Sequence, residues 1–294
     1  MERLIPAALS FPRDPRSLSV PSGRGHDVGV AGEDYLLDNR QDEAGQRFAA
    51  LAALFDPSTF RHLMALRLGP GQRVWEVGAG GPTVPAWLAQ QTAPDGEVLA
   101  TDLDTSWIAG AAPPPNLRVL RHDVGLDPPP EGPFDLVHAR LVLVHVPQRA
   151  RALGAMVSVL RPGGWLVVEE ADPALQPLLC PEDSGPAQQL ANRLKAAFRQ
   201  LMAERGADLA YGRTLPRHLR DVGLVDVAAD AYFPISGPAC HELECATIQQ
   251  IRGRLLAAGL ARVEEIDQHL DNLSAGRLPD LATSPMVTAW GRRP

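Results

Sequence analysis

Short apolar segments alternate with helical patterns between residues 73 and 169, and this rhythm constrains the fold more than any other feature of the sequence. Apolar runs with the length and composition of buried strands occur at residues 73–77, 97–101, 117–121, 134–139 and 165–169. Helical spacing of apolar residues separates some of these runs, over residues 83–92 and 148–160. Because strands joined by crossover helices pair in parallel, the segment predicts an α/β fold with helices on both faces of a sheet.

The rest of the chain divides by composition and periodicity into segments on either side of this core. We predict a loosely ordered arm at 1–30, an N-terminal helical cap at 31–68, the ligand-binding core at 69–172, a helical cap insertion at 173–212, a core helix and strand at 213–235, a second helical cap insertion at 236–283 and a final core strand at 284–294. The first cap helix is predicted to stop at Pro57, because a proline inside a helix removes a backbone hydrogen bond. The caps are expected to cover the carboxyl ends of the strands, where ligands of α/β proteins bind.

Charge and apolar content bear on the partners of the chain. The net charge is −7 and the basic residues are scattered, whereas a nucleic-acid surface needs concentrated positive charge, so no nucleic-acid partner is predicted. No apolar run approaches the roughly 20 residues that cross a bilayer, and the N-terminus does not resemble a secretory signal, so we predict a cytoplasmic protein without membrane contact. The three cysteines are an odd, small number without a paired framework, which predicts a reduced compartment. They also lack the paired spacing of metal sites, so no metal is predicted. A homodimer is left open.

A glycine-rich turn, within the stretch VWEVGAGGPT, follows the first predicted strand. Gly78 and Gly80, with Ala79 between them, let the backbone approach a ligand closely at the start of a helix. A dinucleotide-binding turn of the G-x-G-x-x-G type would need Gly or Ala where Thr83 stands, which disfavours a nicotinamide oxidoreductase. Glu76, at the carboxyl end of the strand, can meet a positively charged amino group, which a pyrophosphate would not supply.

Acidic residues also follow the second and third predicted strands. A carboxylate at Asp102 can accept hydrogen bonds from the two hydroxyl groups of a ribose; taken alone, it would equally suit a turn or a helix cap. Asp123 ends the third strand in the same way, and taken alone it would be an ordinary acid at a strand end. Both acids are expected at the edge of the sheet that carries the glycine turn.

Glu76, Gly78 and Gly80 resemble the first sequence motif of the class I S-adenosylmethionine-dependent methyltransferases, (D/E)-x-G-x-G-x-G, although Pro82 stands at the third glycine. Proline suits the first turn of a helix, so the change is compatible with the motif. The resemblance covers residues from about 73 to 170 and includes FDLVHAR, HVP and LRPGGW in the order that the family has them. It implies a Rossmann-like, mostly parallel seven-stranded sheet with an antiparallel last strand and helical cap segments.

The resemblance also implies S-adenosylmethionine as the cofactor and S-adenosylhomocysteine as the product. Glu76 would support the methionyl amino group, the turn at Gly78, Ala79 and Gly80 would admit the cofactor, and Asp102 would bind the ribose.

Further cofactor contacts follow from the same resemblance. Leu103 would pack on the adenine ring, the Asp123 carboxylate would meet the adenine amino group, and the backbone N–H of Val124 would meet a ring nitrogen. The end of the fourth strand, at Ala139 and Arg140, would lie beside the methionine portion and the transferable methyl group.

Two histidines lie near the predicted position of that methyl group, His138 and His145. If the acceptor is a hydroxyl, a general base removes its proton, and a histidine titrates in the right range. A structural role is the alternative for each. Tyr35, from the N-terminal cap, could close over the cofactor, with ordinary core packing as its alternative.

We therefore predict methyl transfer to the hydroxyl group of a small molecule in a bacterial natural-product pathway. The fourth strand has HARL where many enzymes that methylate amino groups of nucleic acids and proteins have Asn/Asp-Pro-Pro-Tyr/Phe, which disfavours those substrates. Methylation of nitrogen or carbon in a small molecule stays open. So does a protein that binds the cofactor without methylating and catalyses a cyclisation or rearrangement.

Overall fold

A computed structural model describes residues 36–37 and 43–294, so the predicted arm at 1–30 and Tyr35 lie outside the described residues. The strands of this part of the chain are β1 (Arg73–Val77), β2 (Glu97–Asp102), β3 (Leu117–Arg121), β4 (Phe134–Arg140), β5 (Leu160–Ala171), β6 (Val225–Tyr232) and β7 (Met286–Arg292). They form one seven-stranded sheet in the order β3-β2-β1-β4-β5-β7-β6. Strands β1 to β5 pair in parallel, and β7 is antiparallel to both β5 and β6. The predicted fold is confirmed.

The helices of the described residues are α1 (Glu43–Ala65), α2 (Thr83–Thr92), α3 (Ser106–Ala109), α4 (Arg149–Ser158), α5 (Pro186–Glu204), α6 (Tyr211–Asp221), α7 (Pro238–Ala257) and α8 (Val263–Ser274). Side chains of a strand alternate between the two faces of a sheet. Trp75 and Val77 of β1 therefore join the core under α4 and α6, whereas Val74 joins the core under α1 and α2. Glu76 shares the face of Val74, so its carboxylate lies on the side of the sheet that α1 covers.

Helices α5, α7 and α8, called the cap from here on, have a hydrophobic core of their own. Leu194 of α5, Ile248 of α7 and Ile266 of α8 are among the buried side chains that hold these helices together. Leu54 and Phe55 of α1 pack into a further cluster with α5, α7 and the end of α8. Helix α1 thus belongs to both the sheet layer and the cap.

Pro57 does not end the N-terminal helix, contrary to the sequence prediction. It lies inside α1, which continues through it as one helix of 23 residues. A proline in a helix interior costs a hydrogen bond and creates a steric conflict with the preceding turn. The side chains on either side of it, Phe55, Thr59 and Leu63, are buried, so packing against the cap and the sheet holds the helix together across the proline.

The strand order identifies the edge at which a ligand would bind. Strand β1 lies between β2 and β4, so the chain proceeds outward in one direction through β2 and β3 and then returns to the other side of β1 as β4. In open α/β sheets, ligands bind at such a switch point, outside the carboxyl ends of the strands. The glycine turn follows β1 at this point.

Candidate cofactor site

The glycine turn has the backbone that only glycine adopts without strain. Gly78 and Gly80 have φ angles of 61° and 59°. A Cβ at Gly78 would lie 2.3 Å from Cγ2 of Val142, and one at Gly80 would lie 2.9 Å from Cε1 of Phe48. Ala79 ties the turn to the neighbouring strand, because its N–H donates to the carbonyl of Thr101 at 3.0 Å. Both glycines are therefore required by conformation and by space.

Asp102 lies directly beside this turn. One of its oxygens, Oδ2, accepts a hydrogen bond from the N–H of Gly80 at 2.8 Å, and Oδ1 accepts one from the N–H of Asp104 at 3.0 Å. Burial raises the pKa of this carboxyl, and the backbone donors partly oppose that shift. The next side chain, Leu103, is 47% exposed although it is apolar. The structure thus brings together the turn, an acid suited to hydroxyl groups and an apolar surface suited to a flat ring.

Asp123 is engaged by its own loop. Its Oδ1 accepts a hydrogen bond from the N–H of Gly125 at 2.8 Å, and its N–H donates to Oδ2 of Asp127 at 2.8 Å. Val124 is buried. The Asp123 carboxylate therefore already stabilises a turn, and an adenine contact would use its remaining acceptor capacity.

A chain of buried charges crosses the sheet at the end of β1. Nδ1 of His138 lies 2.6 Å from Oε2 of Glu76, and Nε2 of His138 lies 3.3 Å from Oε2 of Glu169. The His138 side chain is 0% exposed. Burial alone would lower the pKa of His138, but the charge of Glu76 and the hydrogen bonds to both carboxylates outweigh it and raise that pKa to about 9. At neutral pH the imidazole is therefore protonated.

Glu169 connects this chain to helix α1 and to β7. Its Oε2 accepts a hydrogen bond from the Thr59 hydroxyl at 2.5 Å, and its Oε1 accepts one from the Thr288 hydroxyl at 2.7 Å. Burial acts to raise the pKa of Glu169, but His138, Arg140 and Thr59 together lower it to about 2. This buried carboxylate is therefore ionised.

Arg140 completes the network from the end of β4. Its Nη1 donates to the Thr59 hydroxyl at 3.0 Å, and its Nη2 lies 2.8 Å from Oδ1 of Asp56. The sequence analysis placed Arg140 beside the methionine portion of the cofactor. The structure shows a salt bridge from Arg140 to Asp56, and it joins β4 to α1. Ala139, its neighbour, is fully buried.

His145 ends a 3-10 helix, Leu143–His145, that follows β4 in the chain. Burial lowers the pKa of His145 to about 4, and the positive charges of Arg47 and Arg149 act in the same direction. At neutral pH this imidazole is uncharged. His138 and His145 therefore sit in opposite electrostatic environments.

The loop that carries Val142 and His145 is held by a second buried acid. Oε1 of Glu170 accepts hydrogen bonds from the N–H groups of Val142, Leu143 and Val144 at 3.0, 2.6 and 3.3 Å. Burial raises the pKa of Glu170 to about 8, although these donors and Arg149 favour its ionised form. This carboxyl positions the loop that packs against Gly78.

Several residues of the site were not predicted from the sequence. Phe48 of α1 lies against Gly80, and its ring meets Trp107 edge-on with 6.0 Å between centroids. Neither residue belongs to a motif, so no local signal identifies them. Glu169 could have been noticed, because two adjacent acids at the end of an apolar strand are unusual in a buried element.

The charges and the cradle fit the cofactor that the sequence predicted. The Glu76 carboxylate is buried, and His138 is the described side chain that hydrogen-bonds it, through Oε2. Its second oxygen, Oε1, has acceptor capacity for a ligand that brings an ammonium group to the end of β1. The close packing around Gly78 and Gly80 and the acid at Asp102 suit an adenosyl group approaching the turn. Across the described residues, no group of three His, Cys, Asp or Glu side chains is arranged to hold a metal ion.

Comparison with known proteins agrees with this geometry. Residues 75–168 match the protein family described as Methyltransferase domain. The chain is 35% identical to Methyltransferase str2 of Strobilurus tenacellus over 163 residues, which cover 53% of this chain and 54% of that protein. It is 37% identical to a demethylmenaquinone methyltransferase of Beutenbergia cavernae over 110 residues, 37% of this chain and 44% of that one. The chain thus spans about half the length of the curated relatives that it matches.

Among solved structures, the fold is similar to phosphoethanolamine N-methyltransferase 2 of Haemonchus contortus, solved with phosphomonomethylethanolamine and S-adenosylhomocysteine. The TM-score is 0.54 at 15% identity, over 90% of this chain and 61% of that one. The strand order and the glycine turn define a Rossmann-like fold. Residues 75–168 of this fold are the part of the chain that matches the Methyltransferase domain family.

No helix among the described residues is long and apolar enough to cross a membrane.

Proposed function

We propose that this protein transfers the methyl group of S-adenosylmethionine to a small-molecule acceptor. The observation that carries the proposal is the position of Glu76, a buried acid at the end of β1 beside a glycine turn. Among the described residues, His138 is the one side chain that hydrogen-bonds the Glu76 carboxylate, and it does so through Oε2. We assign Oε1 to the amino group of the cofactor.

The chain's own residues would bind and orient the cofactor. Glu76 would hold the amino group, and Asp102, fixed by the N–H of Gly80, would accept hydrogen bonds from the ribose hydroxyl groups. Leu103 would pack against the adenine ring. When bound, S-adenosylmethionine supplies a methyl group that is already electrophilic, so alignment of the acceptor and exclusion of water contribute most of the acceleration. Helix α1, with Phe48 against Gly80, would exclude water from the turn.

We propose a hydroxyl group as the acceptor and His145 as the base that removes its proton. His145 is uncharged at neutral pH and can accept a proton, whereas His138 already holds one between two carboxylates. A homodimer, a cytoplasmic location and a place in a bacterial natural-product pathway belong to the same proposal. The cap formed by α5, α7 and α8 would enclose a partly apolar acceptor.

A second candidate is methylation of a nitrogen or carbon atom that needs no strong base. One observation favours it: a pKa of about 4 makes His145 a weak base at neutral pH. The two candidates predict different behaviour of His145→Gln. Turnover of a hydroxyl acceptor would fall at least tenfold in this variant with unchanged cofactor affinity. Turnover of an acceptor that needs no base would be unchanged.

Thermal unfolding with S-adenosylhomocysteine, S-adenosylmethionine, NAD and ATP in parallel tests the cofactor. A ligand at 100 times its dissociation constant adds about 2.7 kcal/mol to the free energy of unfolding, a shift of several degrees. We expect the shift with the two adenosyl-sulfur ligands alone. A shift with NAD in their place would refute the proposal. Mass spectrometry of acceptor mixtures incubated with methyl-labelled cofactor then identifies the methylated atom.

A further inference from the structure

The buried network around His138 extends well beyond the cofactor contacts assigned above. Glu76 and His138 occupy paired positions of β1 and β4, and Glu169 is paired with Arg140 across β4 and β5. The three side chains therefore lie in a row on the face of the sheet that α1 covers. Of these three residues only Glu76 belongs to the glycine motif, so the motif does not explain the other two.

The geometry fixes the protonation of the histidine. Both ring nitrogens face carboxylate oxygens, at 2.6 and 3.3 Å. A neutral imidazole carries one proton and would leave one nitrogen lone pair facing an ionised acid, whereas an imidazolium donates to both acids. Thr59 and Thr288 donate to Glu169 from α1 and β7, so neither hydroxyl competes for Glu76.

We propose that His138 is a positioning residue: held between Glu76 and Glu169, it fixes the Glu76 carboxylate in the orientation that meets the amino group of the cofactor. This inference rests on the proposed function for the identity of the ligand. The role differs from that of a general base, because the His138 proton stays in place throughout.

His138 places a positive charge between two buried acids. Without it, Arg140, which contacts Thr59 and Asp56, would be the described cation closest to them in the network. Glu76 is farther from Arg140 in this chain of contacts than Glu169 is. In a variant without His138, the Glu76 carboxylate would therefore lose both the partner of its Oε2 and the opposite charge that orients it.

The other ionisable side chains near His138 do not contact Glu76. His62 of α1 hydrogen-bonds Asp230 of β6 at 2.8 Å, and its Nδ1 lies 3.9 Å from Oε1 of Glu169. That contact is to the far oxygen of Glu169, on the side away from Glu76. Asp56 is already paired with Arg140.

The test compares two ligands that differ in the amino group. S-adenosylhomocysteine carries the amino acid portion, and 5′-methylthioadenosine lacks it. Measured by calorimetry, the affinity of His138→Gln for S-adenosylhomocysteine should be roughly 10- to 100-fold lower than that of the wild type, the range of a lost hydrogen bond to a charged group. Its affinity for methylthioadenosine should stay within about twofold of the wild-type value. His138→Asn, whose amide nitrogen can take the place of Nδ1, should fall between the wild type and His138→Gln.

His269→Gln is the matched control. His269 is also fully buried, and its Nε2 lies 3.0 Å from Oε1 of Glu244 within the cap. This variant should lose thermal stability but keep the wild-type ratio of the two affinities.

Three results would overturn the assignment of His138. The first is an equal loss of affinity for both ligands in His138→Gln. The second is an affinity of His138→Gln for S-adenosylhomocysteine that is unchanged or tighter. The third is a neutral His138 in the ¹⁵N spectrum of the wild type at pH 7. The spectrum requires no variant, so it decides the question even if the substitutions prevent folding. A wild-type protein that binds neither ligand would instead refute the proposed function.

Discussion

Replacing Gly78 by alanine should damage both the fold and the cofactor turn, and the structure separates the two effects. The φ of 61° at Gly78 costs a residue with a Cβ about 1–2 kcal/mol. The new Cβ would also lie 2.3 Å from Cγ2 of Val142, about 1 Å closer than an ordinary contact. Val142 is β-branched and stiff, so relieving this overlap should cost a further 1–3 kcal/mol or so. The expected loss is about 2–5 kcal/mol, or about 4–10 °C in Tm at about 2 °C per kcal/mol.

Gly71→Ala provides the matched control. Gly71 has a φ of 81°, and a Cβ there would meet nothing within 4 Å. This variant shares the backbone cost without the overlap, so it should lose about 1–2 kcal/mol. It should bind S-adenosylhomocysteine as the wild type does. Gly78→Ala should bind the same ligand at least tenfold more weakly, because the alanine side chain obstructs the approach of the ligand to the turn.

Urea unfolding and calorimetry measure both quantities. The double variant of Gly78→Ala with Val142→Ala should recover the overlap part of the stability loss, which appears as a coupling energy of about 1–3 kcal/mol in a double-mutant cycle. Equal stability losses for Gly78→Ala and Gly71→Ala, or a coupling energy below about 0.5 kcal/mol, would refute the packing argument. An unchanged affinity in Gly78→Ala would remove the turn from the cofactor site.

Three further predictions concern the acids and the hydroxyl around the site. Asp102→Asn should lower the affinity for S-adenosylhomocysteine at least tenfold with about 1 kcal/mol lost in stability, and an unchanged affinity by calorimetry would exclude the ribose contact. Burial raises the pKa of Glu170 from 4.5 to about 8, so the folded state holds the extra proton between these values and stability should fall as the pH rises from about 5 to 8. In Glu170→Gln the free energy of unfolding, measured by urea unfolding at about pH 5 and about pH 8, should fall less between these two values. An identical fall in the variant and the wild type would contradict the prediction. Thr59→Val removes a hydroxyl that joins Glu169 to Arg140 and should cost about 1–3 kcal/mol, whereas Thr59→Ser should stay near the wild type in a thermal melt.

The order of strands and helices in the core was predictable because it depends on local patterns. Each buried parallel strand is a short apolar run, and each crossover helix has its own periodicity, so both signals lie within a few residues. The glycine turn was predictable for the same reason, since Gly78 and Gly80 adopt a backbone that other residues avoid. Asp102 was predictable as a neighbour of the turn because parallel strands end at the same edge.

The N-terminal helix shows where local reasoning fails. A proline inside a helix is unfavourable by itself, and the sequence therefore predicted a break at Pro57. The buried neighbours of Pro57 hold the helix intact. Phe55 is buried against α5 and α7, more than 120 residues away in the chain, and Leu63 is buried against the sheet.

Distant contacts likewise determine the surroundings of His138. From the sequence, it was predicted to lie beside the methyl group as a candidate base. In the fold, the pairing of β1, β4 and β5 encloses it between Glu76 and Glu169 and raises its pKa to about 9.

By itself, the sequence determined the type of sheet, the glycine turn and the acids at the strand ends, because these follow from backbone geometry and local periodicity. Only the tertiary structure decided which side chains of α1 cover this edge of the sheet, which acids pair with the two ring nitrogens of His138 and which charge each histidine carries. The physical reason is that burial and charge pairing depend on groups far apart in the chain, and pKa values respond to both.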